Sequence, residues 1–311
     1  MAIKNSLFLL FAVSFLGLSA CQLPQLRRSQ QAPPAPGQPL PEAVVEQPTL
    51  PAKEETKRVA VILGPGGAKA FAHVGVLRAL QQERIPVERI IGLEWGALVG
   101  AMYAQKGQIH DVEWKLYKME QQEVLKPKSK GFFSSNGDQP TISSLDKFLQ
   151  DNFAKEDLNL GKIRFSCPSR SVWTGVVAWQ NRGPVRDVIK RCLPYPPIFK
   201  MQGTFLAGAS QATEAVELLA KEGFNVIIMV NVLGSGLPFG QDALLENLNH
   251  VILWQEVKRS VGEVARLNVE HINVDTSAFP MVQFQSKKDL VSLGEEVGRN
   301  AAASLISKYG F

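Results

Sequence analysis

The sequence predicts an α/β fold: one domain with a mostly parallel central sheet covered by helices on both faces. Three observations carry this. Short apolar runs such as Arg58 to Leu63 (RVAVIL) and Val226 to Val232 are bounded by glycine or polar residues, as buried strands are. Segments of helical composition separate them, and that alternation is the pattern of a parallel sheet with crossover helices. No internal repeat offers an alternative architecture. The 311 residues suffice for one large domain or two ordinary ones, and 45% hydrophobic residues can fill a core.

The chain before the domain reads differently. Lys4 precedes an apolar stretch, Leu7 to Leu18, that is too short for a stable bilayer span. Leu18-Ser19-Ala20-Cys21 follows and resembles the bacterial lipobox, in which small residues admit a peptidase and the cysteine thiol takes a diacylglycerol. The resemblance implies a signal peptide over 1–20 and lipidation at Cys21, and the alternative is an ordinary signal peptide with an incidental cysteine. Each buried CH₂ of an acyl chain contributes about 0.8 kcal/mol, so two or three chains anchor firmly. Gln22 rather than Asp after the cysteine implies the outer membrane, with the domain facing the periplasm. Residues 21–57 form a proline- and glutamine-rich tether, where Pro33, Pro34, Pro36, Pro39 and Pro41 block helix and ladder bonding.

The domain, residues 58–311, is expected to run as follows. Arg58 to Leu63 is a strand, Gly64 to Gly67 a turn, and Phe71 to Gln82 a helix. Ile90-Ile91 marks a second strand, Gly92 to Gly96 a tight turn, and Ala97 to Gln105 and Ile109 to Met119 are helices. Lys126 to Gln139 is loop. Ile163 to Cys167 and Val172 to Trp179 read as strands, with Trp173 and Trp179 at strand spacing as packing residues. Val185 to Arg191 is helical until Pro194, Pro196 and Pro197 break it. Thr213 to Glu222 is a helix and Val226 to Val232 a buried strand. Leu244 to Val269 is mostly helix, His271 to Val274 a last strand, and Lys288 to Lys308 a terminal helix.

Two turns fall at strand carboxyl ends, where open α/β sheets place their sites. In Gly64-Pro65-Gly66-Gly67-Ala68-Lys69, glycines between strand and helix let backbone N–H groups converge on a negative oxygen. Alone, this is a phosphate loop, an oxyanion hole or a plain tight turn; it is neither G-x-G-x-x-G nor a Walker A loop. In Gly92-Leu93-Glu94-Trp95-Gly96, small residues flank a central one between strand and helix, the form of a nucleophile elbow. Glu94 stands where a hydrolase has serine.

The run from Val59 to Tyr103 resembles the patatin-like phospholipase family. Its glycine loop, then Phe71-Ala72-His73-Val74-Gly75-Val76-Leu77, then the elbow and Gly100-Ala101 follow the family's order. The resemblance continues through Arg186 to Gln202, Ala207-Gly208-Ala209, Thr213 to Val232 and Leu293 to Leu305. It implies a patatin-like fold and, in an intact member, a Ser–Asp dyad with the glycine loop as oxyanion hole. This chain departs at four places: Glu94 at the serine, Ala207 at the aspartate, Pro65 for a loop glycine, and Ala70 for another. Losing either dyad partner costs on the order of 10⁴ to 10⁶ in rate.

The expected function is therefore a membrane-anchored pseudoenzyme that binds lipid or an envelope protein. The runner-up is an active lipid acyl hydrolase on a non-standard site, and the third is a structural envelope protein. No catalytic residues are assigned. Gly64, Gly66, Gly67 and Ala68 form the candidate oxyanion loop, and Gly92, Glu94 and Gly96 the elbow. The Glu94 carboxylate is expected either to turn onto the Gly66 to Ala68 amides, favoured by the helix N-terminus, or to point to solvent. His73 is read as a structural helix residue. Ser134, Ser135, Ser143 and Ser144 lack a motif-bound partner. Lys115, Lys118, Lys126, Lys128 and Lys130 form a basic stretch, either a solvated face or a contact for anionic headgroups.

A net charge of +5 is too small to argue for nucleic acid. Four histidines without ligand spacing suggest no metal, and nothing in the sequence asks for a cofactor. Cys167 and Cys192 could pair in an oxidising compartment or remain two buried thiols. The oligomeric state is not legible.

Overall fold

The computed structural model describes residues 56–125, 141–235 and 248–311. Glu54–Phe311 form one compact unit, and every element below lies in it. The signal segment, Cys21, the tether up to residue 55, the whole loop from Lys126 to Gln139 with Lys126, Lys128, Lys130, Ser134 and Ser135, and residues 244–247 of the expected Leu244 to Val269 helix lie outside the described residues.

The first strand, β1 (Val59–Leu63), is buried at every residue. That full burial explains its unbroken apolar run: it pairs in parallel with β2 (Val87–Gly92) on one side and β6 (Val226–Asn231) on the other. A short 3₁₀ turn, Gly67–Phe71, leads into α1 (Ala72–Gln82), and β2 leads into α2 (Trp95–Lys106). Next come α3 (Ile109–Lys118), α4 (Gln121–Val124) and α5 (Asp146–Phe153). Strand β3 (Arg164–Ser171), strand β4 (Val177–Gln180), helix α6 (Val185–Cys192), strand β5 (Phe205–Ala207) and helix α7 (Ala212–Lys221) precede β6. Helix α8 (Leu248–Val264), strand β7 (Glu270–Asn273) and helix α9 (Lys287–Tyr309) complete the domain.

The sheet runs β4-β3-β2-β1-β6-β7, with β5 also on β3. Its pairings are parallel except those of β4 and β5 with β3. The α/β reading therefore holds, with three local corrections. Strand β3 extends to Ser171, and residues 172–176 turn instead of continuing a strand. Trp173 consequently stands 80% exposed at that turn and packs nothing, whereas Trp179 packs against the core. Period-two spacing alone could not show where the strand stopped. Strand β5 and helix α5 were not anticipated; three residues of strand carry almost no periodic signal.

Cys167 and Cys192 are joined, with Cα atoms 6.0 Å apart. The bond ties β3 to α6 across a sequence separation of 25. Closing a loop of that length removes about 3 kcal/mol of unfolded-state entropy. It also holds β3, which carries β5, against the layer of helices.

Helix α9 lies directly on α1, and glycine sets the distance. A Cβ at Gly294 would come within 2.0 Å of the Ala72 carbonyl oxygen, and one at Gly75 within 2.0 Å of the Val291 carbonyl oxygen. This contact explains Gly75 within the α1 motif and fixes the helix that follows the glycine loop.

Two glycine substitutions should therefore act in opposite directions. Gly294→Val should cost about 3 kcal/mol or more by overpacking. Gly262→Ala, in α8 where a Cβ meets nothing within 4 Å, should add about 0.5–1 kcal/mol. Urea unfolding of the two variants checks both signs.

Candidate functional site

The glycine loop and the elbow meet at the carboxyl ends of neighbouring strands. The Leu93 amide donates to the Leu63 carbonyl at 2.9 Å, and the Gly64 amide to Val230 at 3.0 Å, so both turns extend the ladder by one bond. Gly96 is required by this approach: a Cβ there would lie 2.3 Å from the Leu63 carbonyl oxygen.

Between Leu93 and Trp95 the backbone is strained. Glu94 has φ 51° and ψ −120°, a region that non-glycine residues rarely enter. Such strain costs on the order of 1–3 kcal/mol and persists only where the surroundings enforce it. Here the enforcing contacts are the short strand-to-helix turn and the close packing at Gly96. The conformation throws the Glu94 side chain forward, over the start of the glycine loop.

Its carboxylate lands on that loop. Glu94 Oε2 accepts from the Gly66 amide at 2.9 Å and the Gly67 amide at 3.0 Å. Of the two orientations open to it, the side chain takes the one toward the loop. Ala68 differs from the expectation, because its amide donates to the Met281 carbonyl at 2.7 Å and does not face Glu94. A single oxygen can approach two successive amides that converge; the third has already turned into the 3₁₀ segment. Every N–H from Gly66 to Ala68 thus has a partner within the protein.

Glu94 is wholly buried, and its Oε1 has no hydrogen-bond partner. Burial pushes its pKa up to about 7, against the opposite pull of the Gly66, Trp95 and Gly67 backbone amides. The cover is apolar. Trp95 is 1% exposed, stacks on Phe199 with centroids 6.0 Å apart, and meets Phe284 at 4.8 Å. Phe71 closes on Phe284 edge-on. Phe199, Met281 and Phe284 come from segments remote in sequence, and nothing local in their composition marked them.

Two further side chains hold the loop. His73 Nε2 donates to the Gly64 carbonyl at 2.8 Å. Burial lowers the His73 pKa to about 4, so the ring is neutral, and a carbonyl partner places the proton on Nε2. This is a positioning role, as the helix location suggested. Lys69, missed in the sequence reading, is buried; its Nζ donates to the Leu233 carbonyl at 2.8 Å. Burial and, less, the charge of Lys258 lower its pKa to about 8.

The family profile for patatin-like phospholipase matches residues 61–221, just over half the chain. This chain belongs to the patatin-like phospholipase family. A patatin-like phospholipase domain-containing protein of Caenorhabditis elegans is 51% identical over 47 residues, 15% of this chain and 4% of that protein. A lysophospholipase of Pyricularia oryzae is 40% identical over 53 residues, 17% of this chain and 4% of that protein. The chain thus spans a small part of the curated relatives it matches. Among solved structures, VipD from Legionella pneumophila aligns at a TM-score of 0.46 and 11% identity, covering 80% of this chain and 67% of that one. ExoU from Pseudomonas aeruginosa aligns at 0.31 and 10%, covering 80% and 53%.

In this patatin-like domain, Ala207 ends β5, opposite Ser169 of β3, and is 2% exposed. Its amide donates to the Pro194 carbonyl at 2.8 Å, and the Gly208 amide to Pro168 at 2.9 Å. A methyl group therefore occupies the strand end, and backbone bonds satisfy its surroundings. Three residues on, Ser210 Oγ donates to Glu256 Oε1 at 3.2 Å, and Arg170 lies 3.7 Å from the same oxygen. Tyr195 senses Glu256, Arg170 and Glu94 together; burial first, then Glu256, keep its phenol protonated, while Arg170 opposes them. Of the described serines singled out in the sequence, Ser144 donates to the Val124 carbonyl at 2.9 Å and Ser143 bonds Thr141. Neither meets a carboxylate or imidazole.

The buried acid links folding to pH. Its folded-state pKa, about 7, lies above the ordinary 4.5, so the folded state holds the proton more tightly. That stabilisation is complete below pH 4.5 and is lost as pH rises through 7. Glu94→Gln cannot ionise and should not lose it. The stability of the variant relative to the parent should rise between pH 4.5 and 8, by on the order of 3 kcal/mol for the shift to about 7. Thermal melts of both proteins across that range measure the difference.

Proposed function

We propose that this domain has lost acyl hydrolysis and serves as a binding module of the bacterial envelope. In this reading, residues 1–20 are a lipoprotein signal, Cys21 carries the lipid, 21–57 are the tether and 58–311 the patatin-like domain. The anchor lies in the outer membrane with the domain facing the periplasm. The bound partner is lipid or another envelope protein.

One observation carries the loss of hydrolysis: the Glu94 carboxylate sits on the Gly66 and Gly67 amides. In acyl transfer those donors must receive the developing oxyanion, and removing even one donor typically costs about 10²–10³ in rate. Here an internal oxygen holds both. The residue at the nucleophile position is thus a carboxylate, and the mixed anhydride it would form from an ester lies uphill. Ala207 offers no proton acceptor at the family's aspartate position. The Cys167–Cys192 bond supports an oxidising compartment.

A second reading rests on the Ser210–Glu256 contact, which places a hydroxyl on a carboxylate beside the strand end. An acyl hydrolase built on that pair would need its own oxyanion donors, since those of the loop are taken. Arg170 also stabilises the Glu256 anion and so weakens it as a base.

A fluorogenic ester assay on Glu54–Phe311 separates the readings. The parent should show no turnover above background, and Ser210→Ala should change nothing. Glu94→Ser with Ala207→Asp should restore measurable hydrolysis. Parent turnover abolished by Ser210→Ala would establish the second reading. For the anchor, Cys21→Ser should move the full-length protein out of the lipidated membrane fraction in cells.

A further inference from the structure

Helix α3 exposes Trp114, 60% in solvent, on the face opposite its buried Ile109, Val112 and Leu116. The Lys118 ammonium lies 3.3 Å from the centroid of that indole ring. With Lys115, and with Lys147, Phe148 and Asp151 of α5, the pair lines an open groove of about 280 Å³. Three lysines thus face a single carboxylate. None of the three forms a salt bridge with an acid among the described residues, although the protein has many such pairs elsewhere. Burial first, then the charge of Lys106, hold Lys115 below its ordinary pKa, while Glu156 and Asp111 pull the other way.

Orientation adds to this. The C-terminal carbonyls of α3, at Tyr117 and Met119, accept from Lys287, and the Phe284 amide donates to Gln121. Phe284 is the ring that covers Trp95. The basic end of α3 therefore lies toward the carboxyl end of the sheet. Trp173, 80% exposed, leaves β3 at that same end. Indole rings and long cationic side chains are the groups that settle at a lipid–water interface, the ring among the headgroups and the ammonium on phosphate.

We propose that the α3–α5 groove docks the domain on a bilayer bearing anionic phospholipid, its lysines meeting headgroup phosphates and Trp114 entering the interface. This deepens the envelope reading by naming the partner surface, and it rests on that reading for the domain's place at a membrane. On that reading the acyl chain would hold the protein at a membrane, and the groove would be the face of the domain that meets it.

The test is sedimentation of Glu54–Phe311, which lacks the anchor, with vesicles of phosphatidylcholine alone or of equal parts phosphatidylcholine and phosphatidylglycerol. Binding should require the anionic lipid and weaken with salt. Lys118→Gln should weaken it about fivefold, and Lys118→Gln with Lys147→Gln about twenty-five-fold. Lys221→Gln, at an exposed site on α7, should leave it unchanged. Circular dichroism confirms that the variants fold. Absence of binding, equal binding to both vesicle types, or an equal loss from Lys221→Gln would overturn the proposal. Fatty acid released from the same vesicles would instead overturn the loss of hydrolysis and leave the docking intact.

Discussion

Two amides and one carboxylate oxygen organise this molecule's functional end. Converging N–H groups after a strand require an anion or a carbonyl, because buried donors without partners cost about 1–3 kcal/mol each. In a working acyl hydrolase, water and then substrate meet that requirement. Here Glu94 meets it from within, and the surrounding structure follows. Beside it, Trp95 of the elbow packs on Phe199 and Phe284.

The scaffold around Glu94 keeps the geometry of a strand-to-helix elbow. The elbow still holds a non-glycine residue at φ 51°. His73 still pins the loop through the Gly64 carbonyl, and helix α9 still packs at glycine distance on α1. These features arise from backbone packing between β1, β2 and the helices that follow them. A substitution at residue 94 leaves that packing in place. The strained turn thus becomes a device that delivers a carboxylate to the loop instead of a hydroxyl to a substrate.

Much of this was legible in the sequence, for physical reasons. Strand β1 could be read because full burial demands an unbroken apolar run, and the elbow because small residues must flank a strained turn. The helix dipole and free amides close by made the meeting of Glu94 with the loop one of two orientations the sequence left open, and the fold takes it. The cover was not legible: Phe199, Met281 and Phe284 reach the elbow through tertiary contacts that no local period encodes. The same holds for Ser210 and Glu256, which lie 46 residues apart; the pairing of Cys167 with Cys192 was one of two outcomes the sequence left open. Trp173 misled because its alternation with Trp179 mimics a strand while Thr174 and Gly175 turn the chain between them.

The central claim is a buried acid of raised pKa that accepts two amide hydrogen bonds, and nuclear magnetic resonance can observe both in one titration. With the Glu94 side-chain carboxyl carbon and the Gly66 and Gly67 amides assigned, pH is varied from 4 to 9. The carboxyl should titrate near 7, and both amide protons should move with the same midpoint. A Glu94 carboxyl that titrates near 4.5, the ordinary value, while the amides stay still would contradict the account.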